Sequence, residues 1–507
     1  MDEELLIKNI LGVYETFDDA RDDAVYCSQA EVLTRMLNGD NVFLSGSAGA
    51  GKSYVIEQYV KLKHELQGDT NIVVTATTGL AALNISGSTV HSVTGLGISK
   101  LCYDDYRKTV PAKTLRAKNA ELRAIDVLII DEVSMLSAQG LNFIVDRFMD
   151  AKGGLPQIIL AGDFNQLPPV ATPQDVHDYG DLISEFCYKS RGWNTIDPVI
   201  CYLDKSWRAK DQRLKIILEN ISIGQGRSPE TIDLLNTIRT TESIDKLSSS
   251  ILMTKNIRVD GYNNECQMLN TNKPHKYLYK FDNEFAKNYA TRLGIPETLV
   301  FKEGDRVMIT QNYNTTGESV MVLDEKNQKC NLPVRNGMIG VFMLWRNLPA
   351  VKYTREGRHF TIIFREPFEY VCWNAPTIYD IRSGSYNLRA DMDAYKPCVY
   401  QYPLKLAYAI SVHKSQGQTL DNIIVDLTEC WTENLGYVAL SRTRSLRDIT
   451  LLKRGGRLGS PKALLVSDKS LKIKEEILEA SLKNRLEFED WSGARNSRLK
   501  RGIPRVF

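Results

Sequence analysis

Residues Gly46-Ser47-Ala48-Gly49-Ala50-Gly51-Lys52-Ser53 fit the pattern GxxxxGK[ST] in full. The run follows an apolar segment with strand character, NVFLS, and precedes a segment with helix character, SYVIEQYVKLKHEL. Glycines in such a loop let backbone N–H groups wrap around phosphate oxygens, and the helix N-terminus adds partial positive charge. Lys52 is expected to reach the β and γ phosphates, and Ser53 to ligate Mg²⁺. A second apolar strand, Val127–Ile130, ends in Asp131-Glu132. Asp131 is expected to help hold the same Mg²⁺, and Glu132 to act as general base on the attacking water. Together these features predict an ATP- or GTP-hydrolysing α/β unit.

The 507 residues exceed one ordinary core, so three or four compact units are expected. Apolar and charged shares of 43% and 25% exclude a fibrous or wholly disordered chain. The net charge of +2 argues against a uniformly basic nucleic-acid coat but leaves room for a local basic groove. Charge is uneven: residues 1–40 sum to −7 and residues 494–507 to +5. Nine scattered cysteines contain no CxxC pair, which points to free thiols rather than zinc or a disulfide scaffold. The acidic start resembles no secretory or transit peptide, and no apolar run has the length of a membrane span. The reading is a soluble, intracellular chain, in the cytoplasm of a bacterium or of a phage- or virus-infected cell.

Residues 1–22 read as an acidic, helical lead. From residue 23 to 170, apolar strands alternate with amphipathic segments, the pattern of a parallel sheet with helical crossovers. Residues 171–280 and 403–456 read as a second α/β unit, with helices over 210–225 and 229–237. Between them, residues 281–402 are rich in aromatic and β-branched residues, with a turn at Arg355-Glu356-Gly357-Arg358, and suggest a small β module. The tail 457–507 holds a helix over 468–488 and a basic end.

Further runs carry a family resemblance. Gly162-Asp163-Phe164-Asn165-Gln166-Leu167-Pro168-Pro169-Val170 looks like helicase motif III of superfamily 1. Asp131-Glu132-Val133-Ser134-Met135 looks like motif II of the PIF-type helicases, which are related to RecD and Dda. Residues 75–83 and 87–92 are similar to the motif Ia region, 404–420 to motif V, and Tyr437-Val438-Ala439-Leu440-Ser441-Arg442 to motif VI. The order and spacing match from about residue 28 to residue 453. The fold this implies is two RecA-like domains, the second interrupted by an SH3-like module, with a small wedge inserted at 98–124 in the first.

The resemblance assigns roles. Gln29 resembles the glutamine that reads adenine, which would favour ATP. Gln166 would sense the γ-phosphate. Arg208, in a departing Ser-Trp-Arg-Ala-Lys-Asp context, and Arg442 would be arginine fingers supplied by the second unit. Gly417 would approach the nucleotide. Thr77, Ser88, Thr89, His91, His413, Lys414 and Ser415 would contact DNA. The aromatics of 342–402 are read as barrel core, and Arg495–Arg501 as a disordered solubilising end or an extra DNA contact. The implied activity is an ATP-dependent DNA helicase moving 5′ to 3′ on single strands and acting on forked or tailed duplexes in replication, repair or recombination. It would act as a monomer, alone or with replication or recombination proteins. A DNA-stimulated ATPase switch that remodels partners, and a RecD-like recombination subunit, are the alternatives.

Overall fold

The computed structural model describes residues 27–500 except 68–69, 78–81, 83–87, 97–102, 111, 172–175, 178–179, 204, 248, 255, 294, 312, 314–318, 333, 335, 356, 372–396, 455–458 and 461. The acidic lead 1–22 and the side chains of the basic end lie outside the described residues. Two compact units emerge: Met1–Arg208 with Val466–Phe507, and Ala209–Leu465.

In the first unit, short apolar runs form β1 (Val42–Gly46), β2 (Ile72–Ala76), β3 (Ser88–Thr89), β4 (Val127–Asp131), β5 (Gln157–Ala161) and β6 (Val199–Leu203). Among the described residues they pair in the order β3-β2-β4-β5-β1-β6, all parallel. Every residue of β1 and β4 is buried, as expected for strands covered on both faces. One apolar layer includes Phe43, Leu128, Phe148 and Trp193, and the other Leu44, Ile56, Tyr59 and Ile129.

The boundary expected after residue 170 differs from this sheet. The Pro168-Pro169 break looks like a domain edge, yet VICYL at 199–203 returns and pairs with β1 in register Val42↔Val199 to Gly46↔Leu203. The helix expected over 468–488 is present and runs on to Lys500, and it belongs to the first unit. Strand β6 is the sheet edge, and side chains of this helix meet two of its outer backbone groups, while the Cys27 N–H donates to the Tyr202 carbonyl at 2.9 Å. The Tyr202 N–H donates to Ser481 Oγ at 3.0 Å, and Asn484 Nδ2 donates to the Ile200 carbonyl at 3.1 Å. Such cover keeps an edge from pairing with a foreign strand.

The segment expected to be a wedge forms helices Tyr103–Thr109 and Ala112–Arg123. A fully buried arginine, Arg147, anchors them. It donates to the Thr94 carbonyl and to Asn119 Oδ1, at 3.0 and 2.6 Å, and lies 5.7 and 5.3 Å from the rings of Tyr103 and Tyr106. Burying a guanidinium is costly, and here the Nε and Nη1 bonds and the two aromatic rings offset that cost.

The second unit holds another parallel sheet. Its strands run in the order Ala409–Ser411, Ile251–Met253, Ile423–Val425, Ile449–Leu452, Arg239–Thr241. The helices expected near 210–225 and 229–237 are Gln212–Ser222 and Pro229–Asn236, each opened by a capping side chain, Asp211 and Ser228. Between the neighbouring strands Ile251–Met253 and Ala409–Ser411 the chain leaves to build antiparallel sheets. The largest has six strands, centred on the hairpin Leu348–Arg355 and Arg358–Phe364. A second hairpin turns at Arg346 and Asn347, whose φ angles of 50° and 69° suit a tight two-residue loop. Buried Phe301, Phe342, Tyr353 and Phe364 fill the module core, in keeping with the expectation that its aromatics serve packing. The module begins earlier than expected: Pro274–Leu278 already pairs with Thr298–Lys302.

Candidate nucleotide and nucleic-acid site

Strands β4, β5 and β1 are neighbours, and the first unit's motifs follow their carboxyl ends. The glycine loop follows β1, Asp131-Glu132 ends β4, and Gly162 to Gln166 follow β5. In an open parallel sheet this edge is where ligands bind.

Backbone geometry explains the glycines of the loop. Gly51 has φ 90°, and a Cβ there would lie 2.7 Å from Gln29 Nε2. Gly49 has φ 83°, and a Cβ there would lie 2.4 Å from the Arg208 Cβ. The expected adenine reader Gln29 is therefore against the loop, held on a helix that Ser28 caps by accepting the Glu31 N–H. Lys52 Nζ donates to the Gly46 and Ser47 carbonyls at 2.8 and 3.2 Å. Burial pushes its pKa down, opposed by the carboxylates of Asp163, Glu132 and Asp131. Ser53 Oγ donates to Asp131 Oδ2 at 3.2 Å, so the two expected Mg²⁺ ligands are brought together. Burial first, and the neighbouring Glu132 charge second, push the Asp131 carboxyl up to about 7. A hard divalent cation beside these oxygens would relieve that cost, so the donor set fits Mg²⁺.

Glu132 adopts φ 55°, the left-handed region, which costs a bulky residue on the order of 1–3 kcal/mol. Two bonds hold it there: its N–H donates to Asp131 Oδ1 at 2.8 Å, and its carbonyl accepts Thr77 Oγ1 at 2.9 Å. Thr77, expected on DNA, is 8% exposed and braces the acid pair. Gln166 is buried, and its N–H donates to the Asp163 carbonyl at 2.9 Å.

Arg208 departs from expectation. It closes the first unit rather than lying on the second. Ser206 Oγ donates to the Ala48 carbonyl at 3.2 Å, and the Trp207 N–H to the Gly49 carbonyl at 2.9 Å. This segment braces the glycine loop, a function hidden from a motif reading because the two stretches are about 160 residues apart.

Among the other expected DNA contacts, Ser88 and Thr89 form β3 and are half-buried. Thr89 Oγ1 accepts the Ser92 N–H at 3.2 Å, capping the short helix Val90–Thr94 that carries His91. Burial lowers the pKa of His91 and of His413. In the second unit, Ser415 is fully buried and donates to the Val412 carbonyl at 2.8 Å. The Lys414 side chain lies outside the described residues. Gly417 is exposed with φ 76°. Arg442 is 1% exposed, and its guanidinium donates to the Val438 and Ser415 carbonyls and to Ser441 Oγ, at 2.9, 3.3 and 2.9 Å. It ties the motif VI helix to the motif V turn.

Residues 24–240 match the model of the PIF1-like helicase family, and 406–446 that of the UvrD-like helicase C-terminal domain. The chain is 29% identical to the ATP-dependent DNA helicase Pif1 of Psychrobacter sp., over 84% of this chain and 67% of that one. It spans 44 to 67% of the length of such curated relatives. A solved structure of Bacteroides Pif1 with ADP-AlF4 superposes with a TM-score of 0.68 at 25% identity, covering 89% of this chain and 97% of that one. Another, bound to single-stranded DNA, gives 0.56 at 26% identity, with 89% and 97% covered. No described helix is long and apolar enough to cross a membrane.

Proposed function

We propose that the chain is a PIF1-type helicase of superfamily 1, with the family's α/β fold and added antiparallel sheets, and that it is an ATP-dependent DNA helicase. It translocates 5′ to 3′ on single-stranded DNA and opens forked or tailed duplexes. The observation that carries the reading is the gathering of Lys52, Ser53, Asp131, Glu132 and Gln166 at three adjacent strand ends.

The residues divide the work. The glycine loop and Lys52 hold the phosphates, and Gln29 contacts the adenine. Ser53 and Asp131 would hold Mg²⁺, which would supply neutralisation of phosphate charge. Glu132 takes the proton of the attacking water on its carboxylate, from a backbone fixed by Thr77. Gln166 senses the γ-phosphate, and Arg208 contributes positive charge from beside the loop. The solved relative bound to single-stranded DNA supports DNA as the track. Pairing of Arg442 with the Ser415 carbonyl gives a route by which the motif VI helix moves the motif V turn.

Matched duplexes with a 5′ or a 3′ tail test the reading. Opening of the 5′-tailed substrate alone, dependent on ATP and Mg²⁺, is expected. DNA-stimulated hydrolysis that opens neither would overturn it in favour of a partner-remodelling ATPase.

A further inference from the structure

In the second unit, the antiparallel sheet and the parallel sheet enclose a cleft of about 440 Å³. Ser250 and Asn422 line it, and each immediately precedes a parallel strand, Ile251–Met253 and Ile423–Val425. The turn His413–Ser415 instead follows its strand, Ala409–Ser411. The cleft is thus at the opposite end of the sheet from the turn expected to touch DNA. Register fixes the charge lining it. Arg306 is paired with Val341, and Val341 with Lys352, so Arg306 and Lys352 share one face of the antiparallel sheet. Two strands separate their backbones by roughly 10 Å.

Arg306 is largely buried, which pushes its pKa down, and Nε donates to Ser250 Oγ at 3.2 Å. Among the described residues no carboxylate lies within ion-pair distance of it. The acid lining the cleft, Asp421, is engaged by Tyr353, which lines it too, and by Arg444. It accepts the Tyr353 hydroxyl at 2.8 Å and faces Arg444 at 4.0 Å. A desolvated guanidinium without a counter-charge is costly, and a tetrahedral oxyanion is its natural complement.

We propose that this cleft binds a phosphate group, with Arg306 and Lys352 as its cationic walls and Ser250 as a hydroxyl donor. The phosphate belongs to the backbone of a DNA segment other than the one held at the His413–Ser415 turn. Only the choice of DNA as the source rests on the helicase reading. The test is fluorescence anisotropy of the full chain with a tailed duplex over a range of salt concentrations. Lys352→Gln is expected to reduce the slope of log affinity against log salt by about one. Affinity at low salt is expected to fall severalfold, while stimulation of ATP hydrolysis by a short oligothymidine is unchanged. Lys352 is exposed, so this variant keeps the test decisive even if Arg306→Gln misfolds. Unchanged slope and affinity overturn DNA as the ligand. Calorimetry with inorganic phosphate then decides the site: no binding to the wild-type chain overturns it altogether, whereas binding lost in Lys352→Gln upholds a site for free phosphate. The readout is equilibrium binding, so a wild-type chain that fails to unwind would overturn the helicase reading and leave this one standing.

Discussion

The two parallel sheets place an acid after a central strand and use it in opposite ways. In the first, Asp131 ends β4 with a serine hydroxyl and a backbone N–H for partners, and its carboxyl is raised by burial and by Glu132. In the second, Asp426 follows Ile423–Val425 and is consumed by structure: it accepts the Thr428 N–H at 3.0 Å and pairs with Arg454 at 2.9 Å. Nearby, Arg258 is paired with Glu429. The two sheets therefore differ in the cation beside their acids: the Lys52 ammonium at the first edge, and an arginine for each acid at the second.

The largest test removes the ammonium from the first edge. Lys52→Ala is expected to lower ATP turnover at least 10²–10³-fold, as loss of a charge-stabilising donor does, while strand binding persists; near-normal turnover in a phosphate-release assay would refute the loop assignment. Glu132→Gln should cost roughly 10²–10⁴-fold in kcat with ATP still bound, as read by a fluorescent ATP analogue.

The acid pair itself gives a sharper contrast. Asp131→Asn should abolish hydrolysis yet leave the chain at least as stable as wild type in EDTA. The sign follows from linkage. With its folded pKa near 7 and an ordinary value of 3.8, Asp131 binds more protons folded than unfolded, so its contribution to stability falls as pH rises through that window. Melting curves at pH 5 and pH 8 should show wild type losing more than the variant. Asp426→Asn should do the reverse, keeping turnover and losing about 1 kcal/mol of stability, a figure discounted because Arg454 is half exposed. A loss of turnover there would break the comparison. Ser481→Ala, which leaves the Tyr202 N–H without its acceptor, should likewise keep turnover and cost about 1–3 kcal/mol in a thermal melt.

What was legible in the sequence shares one property: it is local. The glycine loop, the acid pair, the helices at Gln212–Ser222 and Pro229–Asn236 and the hairpin around Arg355–Arg358 each arise from neighbours along the chain. What was hidden is long-range. Nothing in VICYL says that it rejoins β1 rather than starting a new sheet, because a buried strand reads the same in either place. Nothing near Arg208 says that Gly49 is its neighbour. Thr77 was assigned to DNA by its motif, yet its hydroxyl is turned to the Glu132 carbonyl 55 residues away. Arg442 carries the expected motif, which gives no hint that the Val438 and Ser415 carbonyls and the Ser441 hydroxyl accept from its guanidinium.

The helix Asp468–Lys500 also sets an order of events during synthesis. Ser481 leaves the ribosome 279 residues after Tyr202, and Asn484 284 residues after Ile200. At about 5–20 residues per second, that interval is on the order of tens of seconds. Through that wait the second unit is made in full while the Tyr202 N–H and the Ile200 carbonyl of β6 await their partners, the Tyr202 carbonyl being met already by the Cys27 N–H at 2.9 Å. The helix Asp468–Lys500 is thus the element that completes this strand edge.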